Sequence, residues 1–449
     1  MKTRIITVSC LLVALAVCSL VLAGQQGITT LTIRKDQEKP VIAVADMHGA
    51  GAAEQYMAEF NKALWAELDN TGQLRLAPKT SYPLAVPQQP GDLKPPTPFS
   101  EWTRPPVGAN YLAFGYTAVQ DNQILLYGNF FNLGQPDVQS AQIIGMRRYY
   151  GALSNDGAKK VAREFAADIL KELNIASLLG TKIFFASDRS GAKEIWSMDY
   201  DGSNQHQMTR YGSSSSQPVV SPDGKLFAFM TYAGGNPQIR IHTTDTSRRQ
   251  TFVNPVTSAV ATPEFTPDGK NMMFSATVDG WLQLMMAGID GSGMRRVSNG
   301  RFIEVSPRIN PKTGNDVLFI SGRSGHQQLW RMNLDGTDRE MLTSGVGDVA
   351  NPSWSPDGQK IAFCWTAGYE PGSFNIFIMD IASRIPQQLT SNSGRNENPW
   401  WAPDGVHLVF SSMRGRVTQL YSMLANGQDV RQLTTQGNNL QPVWAKGNE

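Results

Sequence analysis

The chain has 449 residues, 41% hydrophobic and 17% charged, with 40 Lys and Arg against 38 Asp and Glu. That length supports two or three domains. The near-neutral balance and the absence of a polybasic run exclude the electrostatic footprint of a nucleic-acid binder or an anionic-membrane binder.

The N-terminus reads as a secretory signal over residues 1–24. Lys2 and Arg4 form a positive start, Ile5 to Leu22 is nearly all apolar, and Val21-Leu22-Ala23 supplies small residues for cleavage. Setting Lys2 and Arg4 aside makes the basic residues equal in number to the acidic ones. Of the three cysteines, Cys10 and Cys18 fall in this leader; a lipidated Cys18 is a weaker alternative because Val17 precedes it. Cys364 is then left alone, which excludes an internal disulfide, and its place in an apolar strand suggests an inert core residue.

Residues 25–178 read as an α/β domain with an extended N-terminal segment. Leu31-Thr32-Ile33-Arg34 alternates as an edge strand does. Pro40 to Ala45 is a buried strand. Ala52, Tyr56, Phe60, Ala63, Leu64 and Leu68 mark one face of a helix that Asn70-Thr71-Gly72 ends. A short strand is expected over Gln73 to Ala77. Pro83 to Pro106 holds eight prolines and reads as a surface loop, with Phe99 and Trp102 as its anchors. Tyr111–Val119, Ile124–Asn132 and Gln142–Tyr149 read as antiparallel strands, the first two joined at Asp121-Asn122. Ser154 caps a second helix that runs to Leu173.

From residue 181 to 449 the chain repeats. The phrase Asn351-Pro352-Ser353-Trp354-Ser355-Pro356-Asp357-Gly358 recurs around Pro218, Pro263, Pro307 and Pro399, and a worn copy is Pro442-Val443-Trp444. Its Pro-Asp-Gly core is turn chemistry: proline presets φ and glycine closes the turn. A phenylalanine follows each turn, at positions 185, 229, 274, 319, 363 and 410, spaced 44 to 47 residues apart. Third strands such as Ile195-Trp196-Ser197-Met198 lead into Asp-Gly or Asn-Gly turns and then into Leu-Thr or Met-Thr endings. This period, with several short strands per unit, defines a six-bladed β-propeller. The first blade lacks its own first strand and the C-terminus carries a spare one, so a strand swap closes the ring without a covalent link, removing exposed sheet edges.

No nucleophile elbow, phosphate-binding loop or zinc-protease motif appears, and the five histidines are scattered over repeat positions, so no catalytic residue, metal or cofactor is expected. Turn aspartates 223, 268, 357 and 404 are expected to build turns. Arg189, Arg323 and Arg414, which recur after second strands, are expected to pair with their neighbours. The residues ahead of each first-strand proline are all polar and uncharged: Gln217, Thr262, Ser306, Asn351, Asn398 and Gln441. They form either a ligand or peptide site at the channel mouth or a set of caps on strand ends; the pattern alone weighs the two equally.

A signal peptide, a small α/β domain bearing Lys39-Pro40-Val41-Ile42-Ala43-Val44 and Tyr111-Leu112-Ala113-Phe114-Gly115, and six repeats of the Pro-x-Trp-Ser-Pro-Asp-Gly type together resemble the TolB family of the Tol–Pal system. The sequence departs from that pattern in the long proline-rich insertion and in Asn310-Pro311-Lys312, which lacks the turn aspartate. The resemblance implies a non-catalytic periplasmic scaffold supporting outer-membrane integrity and cell division. It also implies a Pal-like lipoprotein at the propeller mouth, facing the six pre-proline residues with Arg395 and Glu397 beside them, and a TolA-like inner-membrane protein at the N-terminus, where Leu31 and Ile33 lie. Two other classes stay open: a secreted metal-dependent lactonase-like propeller using Asn351, Glu397, Asn398 and Asn438 as oxygen ligands, and an unrelated peptide- or carbohydrate-binding propeller.

Overall fold

The structure is a computed structural model that describes residues 39–94, 99–368, 370 and 372–447. The expected leader, the extended segment and the residues Leu31 and Ile33 lie outside the described residues. Among the described residues no helix is long and apolar enough to cross a membrane.

The first part of the chain builds one mixed sheet. Strand β1 (Val41–Val44) lies between β3 (Arg75–Leu76) and β4 (Tyr111–Gln120), parallel to both; β5 (Gln123–Asn132) and β6 (Gln142–Ala152) continue antiparallel, and the short β2 (His48–Gly49) also pairs with β4. The β4–β5 hairpin turns at Asp121 and Asn122, both with φ between 50 and 58°, the left-handed pair that matches strand twist. Helices α1 (Met57–Asp69) and α2 (Asn155–Glu172) bury their apolar stripes on one face of the sheet, where Phe60, Leu64, Val161, Phe165 and Ile169 join Ile42 and Leu126. Ser154 Oγ caps α2 by accepting from the Gly157 N–H at 3.1 Å.

The proline-rich segment covers the other face. Leu93, Phe99, Trp102 and Val107 pack on Val41, Ala43, Leu112, Phe114 and Phe131. The two aromatics expected as anchors are both buried, and Trp102 sits in a short helix (Ser100–Thr103). The insertion therefore supplies the second layer that a sheet apolar on both faces requires.

The rest of the described chain forms six four-stranded sheets. Each has its strands in sequence order, except that the sheet of the first blade takes Asn439–Ala445 beside Lys182–Ser190. All six second-strand phenylalanines are fully buried. The repeated threonine has a defined task. The Thr209, Thr343, Thr390 and Thr434 hydroxyls each accept from a third-strand N–H at 2.9 Å and prolong pairing beyond a two- or three-residue fourth strand. Each hydroxyl then donates to a buried third-strand side chain, Glu194, Gln328, Asn375 or Gln419.

Helix α1 and the start of α2 dock on the turns of blades 1 and 6. Tyr200 donates to the buried Glu67 carboxylate, and Arg163 lies 3.0 Å from Glu67 and also pairs with Asp201. Burial raises the Glu67 carboxyl and the Tyr200 phenol above their ordinary ranges. His407 Nε2 donates to the Asn70 carbonyl at 2.8 Å while Nδ1 lies 2.6 Å from Asp404. Gly72, at φ 61°, lies where a Cβ would collide with Leu424.

Deleting residues 441–449 strips the first blade of Val443 and Trp444, both buried, and exposes sheet edges on two sides. The truncated protein is expected to melt roughly 10 °C or more below the full chain, or not to fold. Thermal unfolding followed by circular dichroism checks this; an unchanged midpoint would remove the closing role of the last strand.

Candidate functional site

Strands within a blade alternate in direction. The Pro-Asp-Gly and Asp-Gly turns therefore lie at one end of the propeller, and the second-to-third and fourth-to-first connections lie at the other. The α1–α2 layer docks on the first end, through Tyr200, Asp201 and His407. The second end is free of it and carries the channel mouth.

The six pre-proline residues share one backbone conformation. Gln217, Thr262, Ser306, Asn351, Asn398 and Gln441 all have φ between 50 and 55°. Each sits at a register shift in the pairing of first and second strands, a β-bulge that kinks the strand and turns one residue out of the ladder. The following proline is tolerated because the first strand pairs on one side only. The left-handed conformation favours Asn and short polar residues over β-branched apolar ones, so the polar character of the set has a backbone cause as well as a surface one.

Their side chains join blade to blade. Gln441 Oε1 accepts from the Gln217 N–H at 2.9 Å, Gln217 Oε1 from the Thr262 N–H at 2.8 Å, and Thr262 Oγ1 from the Ser306 N–H at 3.2 Å. In the other half of the ring, Asn351 Oδ1 accepts from the Cys364 thiol at 3.4 Å and Asn398 Oδ1 from the Ser411 hydroxyl at 3.0 Å. Gln217 and Gln441 thus turn their amide oxygens to the neighbouring blade, whereas the Cys364 thiol and the Ser411 hydroxyl share their single protons with the Ala350 and Glu397 carbonyls at 3.3 and 3.0 Å. Both readings of the sequence pattern hold in part: these residues stitch strands together, and they also line one cavity. That cavity, about 490 Å³ counted out to open solvent, is lined by all six and by the prolines that follow five of them, Pro307 excepted.

The floor lies two residues further along the same strands. Arg308, Trp400 and Val443 line it. Arg308 Nη1 lies 3.1 Å from Glu264 Oε2, and the guanidinium carbon is 4.8 Å from the centre of the Trp400 ring. Burial pushes the Glu264 carboxyl up to about 7 against the pull of Arg308. The sequence reading missed Glu264, Arg308 and Trp400. A count of two from each pre-proline residue reaches them, since alternate strand residues share a face, but a glutamate, an arginine and a tryptophan at equivalent positions carry no repeat signature.

The rim residues Arg395 and Glu397 neutralise each other: Nε lies 2.8 Å from Oε2, and Nη2 donates to Oε1 at 2.9 Å. Arg395 also stacks over Phe374 at 5.2 Å. Exposed Tyr232, Trp281, Phe302 and Val346 stand on the connections of blades 2 to 5 at this end. Arg189, Arg323 and Arg414 lie over Trp196, Trp330 and Tyr421 at 4.7, 5.0 and 3.9 Å, a stacking role inside the blades. The turn aspartates accept from their own turns, as Asp357 does from Ser355 Oγ at 2.5 Å and from the Gln359 N–H at 3.0 Å. Asn438 Oδ1 accepts from the Thr418 N–H at 3.1 Å and its NH₂ group donates to Asp188 at 2.8 Å. Among the described residues no three His, Cys, Asp or Glu side chains are grouped to hold a metal ion. The Cys364 thiol is buried, and burial raises it far above its ordinary range.

These features define a six-bladed β-propeller with a funnel ringed by six polar residues at one end and an α/β layer at the other. The TolB beta propeller domain model matches residues 173–366 and 337–449, more than half of the chain. The chain therefore belongs to the TolB propeller family. It is 33% identical over 136 residues to a "Protein TolB homolog" of Chlorobium chlorochromatii, covering 30% of this chain and 29% of that one. It is 28% identical over 214 residues to the "Tol-Pal system protein TolB" of Bordetella pertussis, covering 47% and 43%. The chain spans less than half the length of each of these curated relatives. The crystal structure of TolB from Acinetobacter baumannii superposes with a TM-score of 0.74 at 20% identity, covering 91% of this chain and 97% of that one, which places both parts of the fold.

Gln217→Val puts a β-branched residue at φ 54° and removes the acceptor for the Thr262 N–H. It is expected to cost about 2 to 3 kcal/mol, while Asn351→Gly, which relieves the same conformation, is expected to change stability by less than about 1 kcal/mol. Urea denaturation of both variants checks the contrast; equal losses would deny the bulge its strain.

Proposed function

We propose that this protein is a non-catalytic periplasmic scaffold of the Tol–Pal cell-envelope system. In this reading the funnel end of the propeller receives a Pal-like peptidoglycan-associated lipoprotein domain. The segment around Leu31 and Ile33 offers a strand to a TolA-like inner-membrane protein by β-augmentation, and the assembly supports outer-membrane integrity and cell division. Relatives named for the Tol-Pal system support the system, and they are non-enzymatic.

The observation that carries the proposal is the convergence of six polar side chains and a paired rim of Arg395 and Glu397 on the one end that the α/β layer leaves open. Hydrogen-bonding groups at the centre, a charged rim and scattered exposed aromatics suit a wet protein interface better than a closed apolar substrate pocket. The rim pair sets encounter and specificity more than affinity.

Titration of a soluble Pal-like domain against three forms of the protein tests this. Asn351→Leu with Asn398→Leu fills the funnel with apolar bulk and is expected to weaken binding at least tenfold while circular dichroism stays native. Glu397→Lys leaves two cations at the rim and is expected to weaken binding several-fold with a steeper salt dependence. Undiminished binding by the folded double variant would move the site elsewhere. For the second partner, deletion of residues 27–32 is expected to abolish binding of a TolA-like domain; retained binding would make the segment a tether only.

A further inference from the structure

We infer that the funnel is a carboxylate socket: its floor and wall take the acidic tip of an Asp or Glu side chain presented by the docked partner. The inference rests on the open end being the partner face and adds the chemistry of the group that enters it.

The polarity of the wall is one-sided. Gln441 and Gln217 give their amide oxygens to backbone N–H groups of the next blade, which can only donate; Asn351 and Asn398 lie against the Cys364 thiol and the Ser411 hydroxyl, whose single protons are shared with the Ala350 and Glu397 carbonyls. An amide whose oxygen is committed in this way presents its NH₂ group on the opposite side. None of these four amide nitrogens has a protein partner among the described residues, and all four side chains line the funnel. The wall therefore offers donors.

The floor adds a cation with spare donors. Arg308 lines the funnel, whereas its partner Glu264 does not. Arg308 Nη1 takes both contacts, to Glu264 Oε2 at 3.1 Å and to the Pro307 carbonyl at 2.9 Å. Its Nε is buried without a hydrogen-bond partner. Arg308 Nη2 has no hydrogen-bond partner among the described residues and is the guanidinium nitrogen left to donate to a carboxylate. Trp400 holds the guanidinium plane from one side, so that donor is fixed before anything binds. A space of about 60 Å³ for the centres of water-sized spheres, where a single water needs about 10–15 Å³, admits the carboxylate tip of a side chain and excludes a loop or a domain. No carboxylate lines the funnel to repel the guest.

Two measurements on the full chain test this. In the first, N-acetyl-aspartate methylamide and its asparagine analogue are titrated while the side-chain amide signals of Gln217, Asn351, Asn398 and Gln441 and the Arg308 Nε–H signal are followed by NMR. Saturable shifts with the aspartate compound, and about tenfold weaker ones with the asparagine compound, are expected. No saturable shift, or an equal response to both, would overturn the socket. In the second, Arg308→Met is combined with Glu264→Gln so that no carboxylate is stranded, and the folded double variant is compared with the natural chain for binding a Pal-like domain. A loss of tenfold or more is expected. Equal binding by the two forms would overturn the socket and leave the partner face standing. A Pal-like domain that binds neither form would overturn the partner face, and the aspartate titration then decides the socket alone.

Discussion

The propeller depends on one backbone constraint repeated six times. A residue at φ near 50° precedes a proline in every first strand and breaks the pairing register there. The bulge turns the pre-proline side chain along the ring instead of into a blade face, and the relay Gln441 to Gln217 to Thr262 to Ser306 follows from it. Without the bulge the register would slip by one and exchange the channel face of each first strand for its packed face. The donor-lined funnel and the order of the blades around it are thus two results of one local conformation.

The two ends of the propeller are divided between two kinds of contact. At the turn end, the buried Glu67 carboxylate is shared by Tyr200 and Arg163, with His407 bridging to Asn70 nearby. A cluster so desolvated holds together only while every member is present, since removing one strands a buried charge. At the funnel end Ser306 is buried, the other five pre-proline residues are partly exposed, and the amide nitrogens of Gln217, Asn351, Asn398 and Gln441 have no protein partner among the described residues.

Much of the fold was legible because its signals are local. Pro-Asp-Gly turns, buried phenylalanines 44 to 47 residues apart and a spare C-terminal strand report on chemistry within a few residues or on a strict period. The two helices and the β4–β5 turn were legible for the same reason. The funnel wall was legible as a pattern, Gln217 to Gln441, but its polarity was not. Which end of the amide faces the channel is decided by a backbone N–H 45 residues away for Gln217 and 224 residues away for Gln441. Glu264, Arg308 and Trp400 were missed because their pairing is between blades and occurs once. Arg395 and Glu397 are expected beside the mouth; two residues apart on one strand, they face the same way and pair with each other. Phe99 and Trp102 marked where the proline-rich insertion is pinned, but not that the segment forms the second layer of the sheet, since its apolar residues have no period.

Hydrogen–deuterium exchange of the full chain with and without a Pal-like domain tests the division of the two ends most directly. Protection confined to the fourth-to-first and second-to-third connections, with Asn351, Asn398 and Gln441 at its centre and no change in α1 or the Pro-Asp-Gly turns, is the predicted result. Protection confined to α1, α2 or the turn end, with the funnel connections unchanged, would contradict it.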